Sequence, residues 1–305
     1  MSKIRVSKLK SFTGHRDCIY TLERSSEPSL FFSGAGDGLV AKWNLSDSED
    51  GQLIAQLPNS VYALHFYGPE NQLIIGQNFE GIHLIDLTVN KEIKSLKLGK
   101  HAIFDMRSYG HMLFAGTGDG TVFVIDLSSW QILKQLRNAE KSARSIAVNP
   151  KQGEVAVAYS DNRIRIYDLD TFALKYVVEA HNNSVFTIKY SPDFRYLLSG
   201  SRDAHLKIWD TAKNYQLADD IVAHMYAINN IDFSPNEKYF VTCSMDKSIK
   251  VWEAESFKLL KVIDKSRHAG HGTSVNKLLW TDYNNLLLSA SDDRSISVWD
   301  INVNL

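Results

Sequence analysis

Apolar and polar residues alternate in short runs along almost the whole chain, and clusters of Gly, Asp, Ser and Pro interrupt the runs at close intervals. The clearest stretch is Ala180 to Asp210. Val185, Phe186, Thr187, Ile188, Lys189 and Tyr190 alternate with the period of a strand that faces two environments. Ser191, Pro192 and Asp193 then break the ladder, Tyr196 to Ser199 forms a second run, and Gly200-Ser201-Arg202-Asp203 makes a turn into a third run that ends on Trp209-Asp210. Three short antiparallel strands cannot bury a face alone, so such a unit requires neighbours.

The unit recurs. His15 and Trp43, His181 and Trp209, His224 and Trp252, and His271 and Trp299 are each separated by 28 positions, and an Asp (Asp37, Asp203, Asp246, Asp293) stands six before each Trp. Weaker copies fill the gap after the first unit. They end on Ile85-Asp86, Ile125-Asp126 and Tyr167-Asp168, with Asp119 and Asp161 at the turn and Phe79 where the turn Asp is lost. The anchors at 43, 85, 125, 167, 209, 252 and 299 are spaced by 42, 40, 42, 42, 43 and 47 residues. Seven units of one period predict a repeat architecture spanning residues 1–305 as one domain.

With its Gly14-His15, Gly270-His271, Ala180-His181 and Ala223-His224 pairs and these Trp-Asp endings, the chain resembles the WD-repeat (WD40) family. The resemblance implies an all-β, seven-bladed β-propeller with four antiparallel strands per blade around a central channel. It also implies four buried hydrogen-bonded tetrads: His15, Ser33, Asp37 and Trp43; His181, Ser199, Asp203 and Trp209; His224, Thr242, Asp246 and Trp252; and His271, Ser289, Asp293 and Trp299. Blades two to four depart from the pattern, with Ala115 in place of the hydroxyl in the third and Glu140 near the His position of the fourth. They are expected to rely on packing of Leu64, Ile74, Ile75, Ile146, Val155 and Ile166, and to exchange amide hydrogens sooner. The last unit stops after its third strand. The alternating N-terminal segment, with Ile4, Val6 and Leu9, is therefore expected to supply the missing outer strand and close the ring.

A net charge of -1 gives no overall field toward nucleic acid or membrane, and no apolar run reaches the length of a membrane span. The N-terminus has no signal-peptide core, and Cys18 and Cys243 make no disulfide framework, which suits a reducing, cytoplasmic setting. Ser46 to Gly51 is an acidic loop, and Asp264 to Gly270 is an insertion read as a loop. His268 within it and His271 just after it lack further ligands nearby, so no metal and no cofactor is expected. Gly34-Ala-Gly-Asp-Gly and Gly116-Thr-Gly-Asp-Gly fall on turns of the repeat with no helix behind them to cradle a phosphate. Four equivalent His and Asp sets around a ring are scaffolding rather than a catalytic dyad, so an enzyme is not expected.

Function is therefore expected on an exposed face. In the family three positions per blade line one face of the propeller. Here the first, taken as the opening residue of the inner strand, reads Tyr20, Tyr62, Phe104, Arg144, Phe186, Asn229 and Asn276. The second, two residues earlier, reads Cys18, Ser60, Ala102, Ser142, Ser184, Ala227 and Ser274, and the third, before the turn Asp, reads Gly36, Asn78, Gly118, Ser160, Arg202, Met245 and Asp292. Large rings beside small neighbours favour a partner-binding surface built from Tyr20, Tyr62, Phe104, Arg144, Phe186, Arg202, Asn229, Met245, Asn276 and Asp292. The rings could equally plug the channel or pack between blades, and Arg144 and Arg202 could hold a carboxylate or phosphorylated group. The expected partner is a protein or peptide, with the chain a monomeric propeller inside a complex. The alternatives are a subunit that uses its blade edges and, less favoured, an enzyme or small-molecule binder at the channel mouth.

Overall fold

Each three-strand unit gains a fourth strand, and the seven resulting antiparallel sheets surround a central channel in a computed structural model that describes residues 3–47 and 50–304. Blade 1 runs Ile19–Arg24, Leu30–Ala35, Leu39–Asn44 and Gln52–Gln56 from the channel outward. Blades 2 to 6 repeat that order. Lys91–Lys97, Gln131–Leu136, Leu174–Glu179 and Leu259–Ile263 form the outer strands of blades 2, 3, 4 and 6. Blade 7 takes its outer strand from the other end of the chain, where Lys3–Thr13 pairs antiparallel with Ser295–Asn304. A bulge between Lys8 and Lys10 turns Leu9 out to solvent, while Ile4 and Phe12 are buried. Ser48 and Glu49 of the acidic loop and the terminal Leu305 lie outside the described residues. The insertion after Asp264 holds one turn of α-helix, Lys265–His268, where a loop was expected. Asp264 caps it by accepting the Arg267 N–H at 2.9 Å.

No single core exists. Seven apolar clusters are each shared by two neighbouring blades, and the tetrad Trp of a blade packs toward the blade before it. Blades approach most closely at the second-strand residue held by Gly34, Gly76, Gly116, Ala158, Gly200, Cys243 and Ala290. A Cβ on Gly34 would meet Val61 of blade 2 at 2.7 Å, and one on Gly200 would meet Ile228 of blade 6 at 2.6 Å. The buried Cys243 fills the equivalent position with a small residue.

All four tetrads form with one hydrogen-bond direction. In blade 5 the Trp209 indole N–H donates to Ser199 Oγ at 2.9 Å, His181 Nε2 lies 2.7 Å from the same oxygen, and His181 Nδ1 lies 3.0 Å from Asp203. Ser199 accepts from the indole, so its own proton goes to Nε2, and the imidazole is neutral with its hydrogen on Nδ1 facing the carboxylate. The same order holds at His15, His224 and His271. Burial drives His15, His181 and His224 below the ordinary 6.5, against the opposing pull of their Asp partners. Burial alone would raise Asp203, Asp246 and Asp293, but hydrogen bonds from His and from backbone amides prevail and hold them well below 3.8.

Blade 4 replaces its missing tetrad with a different polar network rather than with packing alone. Tyr167, in the Trp position, meets Tyr159 oxygen to oxygen at 3.1 Å. Arg165 covers the Tyr159 ring at 4.7 Å and donates to the turn residue Asp161 at 2.7 Å. A second chain links blade 4 to blade 5: Tyr190 to Tyr215 at 2.7 Å, Tyr215 to Glu154 at 2.5 Å, and Glu154 to Lys175 at 2.6 Å. Blade 3 has a smaller network at its turn, where Asp119 accepts from Thr117 at 2.6 Å and Thr121 at 3.1 Å and lies 3.6 Å from His101, while in blade 2 the apolar residues Leu64, Ile74 and Ile75 are fully packed.

Three outcomes follow from this architecture. Because the folded state holds those three His neutral and the three Asp ionised, it binds fewer protons than the unfolded chain in acid. Urea midpoints should be level above pH 6.5, fall as pH drops below 6.5 through the His groups, and fall again below 3.8 through the carboxylates; His224→Gln should flatten the first decline. Gly200→Ala should cost roughly 1 to 3 kcal/mol of unfolding free energy through overpacking against Ile228, read by denaturant unfolding. Hydrogen exchange should be fastest in blades 2 and 3, with blade 4 protected to the level of blade 5.

Candidate functional site

The pairing of the inner strand with the second strand is interrupted in every blade by a one-residue bulge near its start. The register shifts lie between Ile19 and Thr21, Val61 and Ala63, Ile103 and Asp105, Ala143 and Ser145, Val185 and Thr187, Ile228 and Asn230, and Val275 and Lys277. The extra residues are Tyr20, Tyr62, Phe104, Arg144, Phe186, Asn229 and Asn276. Each is therefore the second residue of its strand rather than the first, and the bulge re-aims its side chain toward the channel mouth. All seven line one cavity of about 290 Å³.

Five of these side chains form a continuous arc. Tyr20 meets Tyr62 edge to face with centroids 4.7 Å apart, and Tyr62 stacks on Phe104 at 5.6 Å. The Arg144 guanidinium then lies between Phe104 and Phe186, 4.1 Å and 4.6 Å from their centroids. Contacts of that kind contribute roughly 0.5 to 2 kcal/mol each, more where water is excluded. Burial lowers the Arg144 pKa, partly offset by Tyr62, and no carboxylate among the described residues pairs with it. Its two faces are covered and its N–H edge is left for an acceptor.

The two asparagines do other work. Asn229 donates to Val275 O at 2.8 Å and to Ser274 Oγ at 3.1 Å, tying blade 6 to blade 7. Asn276 donates to Ile19 O at 3.0 Å and to Asp292 at 2.7 Å, tying blade 7 to blade 1. The small residues of the second position are also bonded: Ser60, Ser142 and Ser184 donate to Gly36, Gly118 and Ser160 on the preceding blade. In six blades the carbonyl of that position accepts the amide of the third position, as from Arg202 to Ser184 at 2.9 Å and from Met245 to Ala227 at 3.0 Å. Blade 2 departs, with Phe79 donating to His101 instead and its ring largely exposed.

Arg202 and Met245 project from this rim. Met245 adjoins Met225 and Tyr226, whose backbone atoms bond to Asp246 and Ser244, and the three form an exposed apolar patch beside the mouth. The sequence singled out Met245 but not Met225 or Tyr226, which follow a tetrad His and carried no repeat signal of their own. Cys18, bonded through its sulfur to Asp292 O, has its thiol pushed up to about 11 by burial and then by Asp292. It is a poor nucleophile at neutral pH.

The channel continues below the mouth into a second cavity of about 430 Å³, with Ser145, Thr187, Asn230 and Lys277 common to both. Its wall is charged. Arg107 lies 3.3 Å from Asp105 and 4.0 Å from Glu23, and Lys189 lies 3.0 Å from Asp232. The carboxylates also bond across blades: Asp105 accepts the Ile146 N–H at 2.8 Å and Asp232 the Trp280 N–H at 2.8 Å. Among the described residues no helix is long and apolar enough to cross a membrane.

Comparison with known proteins matches this geometry. The WD domain, G-beta repeat model matches residues 6–44, 172–210, 216–253 and 262–300, about half of the chain, and these are the units with complete tetrads. Periodic tryptophan protein 2 of Arabidopsis thaliana is 27% identical over 205 residues, covering 65% of this chain and 22% of that protein. The striatin homolog of Dictyostelium discoideum is 26% identical, covering 64% and 26%, and the THO complex subunit 6 homolog of Danio rerio 23% identical, covering 51% and 54%. The chain thus spans between 22% and 54% of the length of these relatives. Seven four-stranded blades, four complete tetrads and the matched repeats together make this chain a member of the WD-repeat family of β-propellers.

Proposed function

We propose that this propeller is a non-catalytic interaction scaffold whose channel mouth takes a peptide or protein segment carrying an acidic group. The observation that supports this most is the arc from Tyr20 to Phe186. It is half-buried, pre-ordered by its own stacking and centred on an arginine with no ion-pair partner among the described residues. Rigid rings lose little entropy on binding, and an edge-on guanidinium suits a carboxylate. Arg202, Met245, Met225 and Tyr226 would extend the contact outward, whereas Asn229, Asn276 and Asp292 would act by holding the rim in shape. A complex-borne role fits the relative named as a THO complex subunit. Two free thiols fit a cytoplasmic location.

The outer strands support a second reading. Leu53, Ile93, Leu133, Val177, Leu217 and Leu259, one on each of blades 1 to 6, are large apolar side chains left exposed. Such edges could be covered inside an assembly.

Affinity capture separates the two. A partner retained by the wild type should be lost by the Tyr62→Ser, Phe104→Ser, Phe186→Ser triple variant, and should bind about tenfold more weakly to Arg144→Gln, provided both melt cooperatively. Equal retention by the folded variants would overturn the mouth as the site. Loss only on Ile93→Lys, Leu133→Lys would assign binding to the blade edges.

A further inference from the structure

The lower part of the channel carries more positive charge than its own acids neutralise. Arg24, Arg107, Lys189 and Lys277 come from blades 1, 3, 5 and 7 and surround the 430 Å³ cavity. Glu23, Asp105 and Asp232 oppose them. Asp232 is committed to Lys189 and the Trp280 amide, while Asp105 is committed to Arg107 and the Met106 and Ile146 amides. Burial pushes the Glu23 carboxyl up toward its neutral form, with Arg107 opposing. Among the described residues no carboxylate lies within ion-pair distance of Lys277 or Arg24. Burial, countered by Asp105, pulls the Lys277 pKa down, the response of an ammonium lacking a close counter-charge.

A second observation comes from His65. Its Nε2 bonds to Ser108 Oγ at 2.7 Å, whereas its Nδ1 is buried with no hydrogen-bond partner, on the wall of the same cavity and beside Arg107. Buried polar atoms in native proteins are nearly always satisfied. His65 lines the cavity through its other atoms, and a guest that accepts hydrogen bonds would meet the Lys277 ammonium and the free edge of Arg24 together. The Asn230 Nδ2 and Thr187 hydroxyl groups on the wall add further donors.

We propose that this end of the channel binds a small phosphate-bearing anion, held by Lys277, Arg107, Lys189 and Arg24. Four cations lining one cavity favour a polyvalent oxyanion over a single carboxylate. A cavity of about 430 Å³ exceeds what orthophosphate needs and leaves room for the organic part of a phosphate ester. The proposal is independent of the partner at the mouth.

The test is titration of the purified chain with orthophosphate and pyrophosphate, by calorimetry and thermal shift, against chloride and sulfate at matched ionic strength. Saturable one-to-one binding, tighter for pyrophosphate, with a rise in melting temperature is expected. Lys277→Met should melt at or above the wild type without ligand, because a buried lone cation is removed. It should also lose the phosphate-dependent shift. Arg24→Gln, at the exposed rim, should bind about tenfold more weakly and carry the test if Lys277→Met does not fold. No response in the wild type at roughly millimolar pyrophosphate, an equal response to sulfate, or unchanged binding in the variants would overturn the site. Partner capture at the mouth should be unaffected by Arg24→Gln, so failure of one proposal is distinguishable from failure of the other.

Discussion

Neighbouring blades meet where the opening side chain of one inner strand presses on the second strand of the blade before it, and that contact leaves space for hardly any side chain. Val61 against Gly34 and Ile228 against Gly200 show how little remains. This proximity sets the rest. It divides the core into seven shared clusters and lets inner-strand side chains such as Asp105, Ser145 and Asn230 reach backbone amides on the next blade. It also leaves the bulged residues nowhere to point but the channel mouth.

The ring is uneven. Blades 5, 6, 7 and 1 carry the tetrads and are contiguous, and blades 2, 3 and 4 lie opposite. The arc at the mouth spans blades 1 to 5, so it lies mainly over the half that lacks tetrads. Stacked rings and a sandwiched guanidinium therefore order the rim where the tetrads are missing, while Asn229 and Asn276 order it on the other side. A surface that contributes to both rigidity and recognition makes substitutions such as Phe104→Ser informative only when stability is measured alongside binding.

Much of this was legible in the sequence because the interactions repeat. The spacing of His181, Ser199, Asp203 and Trp209 recurs since one hydrogen-bonded chain needs those groups at fixed places in the entry loop, the second strand, the turn and the third strand. The ring of mouth residues followed from the alignment of Val185-Phe186 with its counterparts. The bulge that makes those residues second in their strands leaves no mark on composition, and neither does the arc, which depends on side chains forty or more residues apart. Tyr167 was legible as a stand-in for the Trp, but its partners Tyr159 and Arg165 escaped notice because they solve the tetrad's problem with different chemistry in a single blade. The channel charges were hidden for a further reason: Arg24, Arg107, Lys189 and Lys277 sit among ordinary polar residues of alternating strands, and only the curvature of the ring brings them together.

The pairing of Lys3–Thr13 with Ser295–Asn304 has a consequence for how the molecule comes to exist. The strand made first is the one used last, since its partner leaves the ribosome only after every other blade. Until then blade 7 lacks its rim, blade 1 lacks the neighbour that covers Phe31 and Trp43, and both present unpaired backbone. Closing the widest loop in the chain is an entropically slow event that no local contact accelerates. The half-finished ring therefore presents its unpaired edges to chaperones, proteases and misassociation for as long as closure takes.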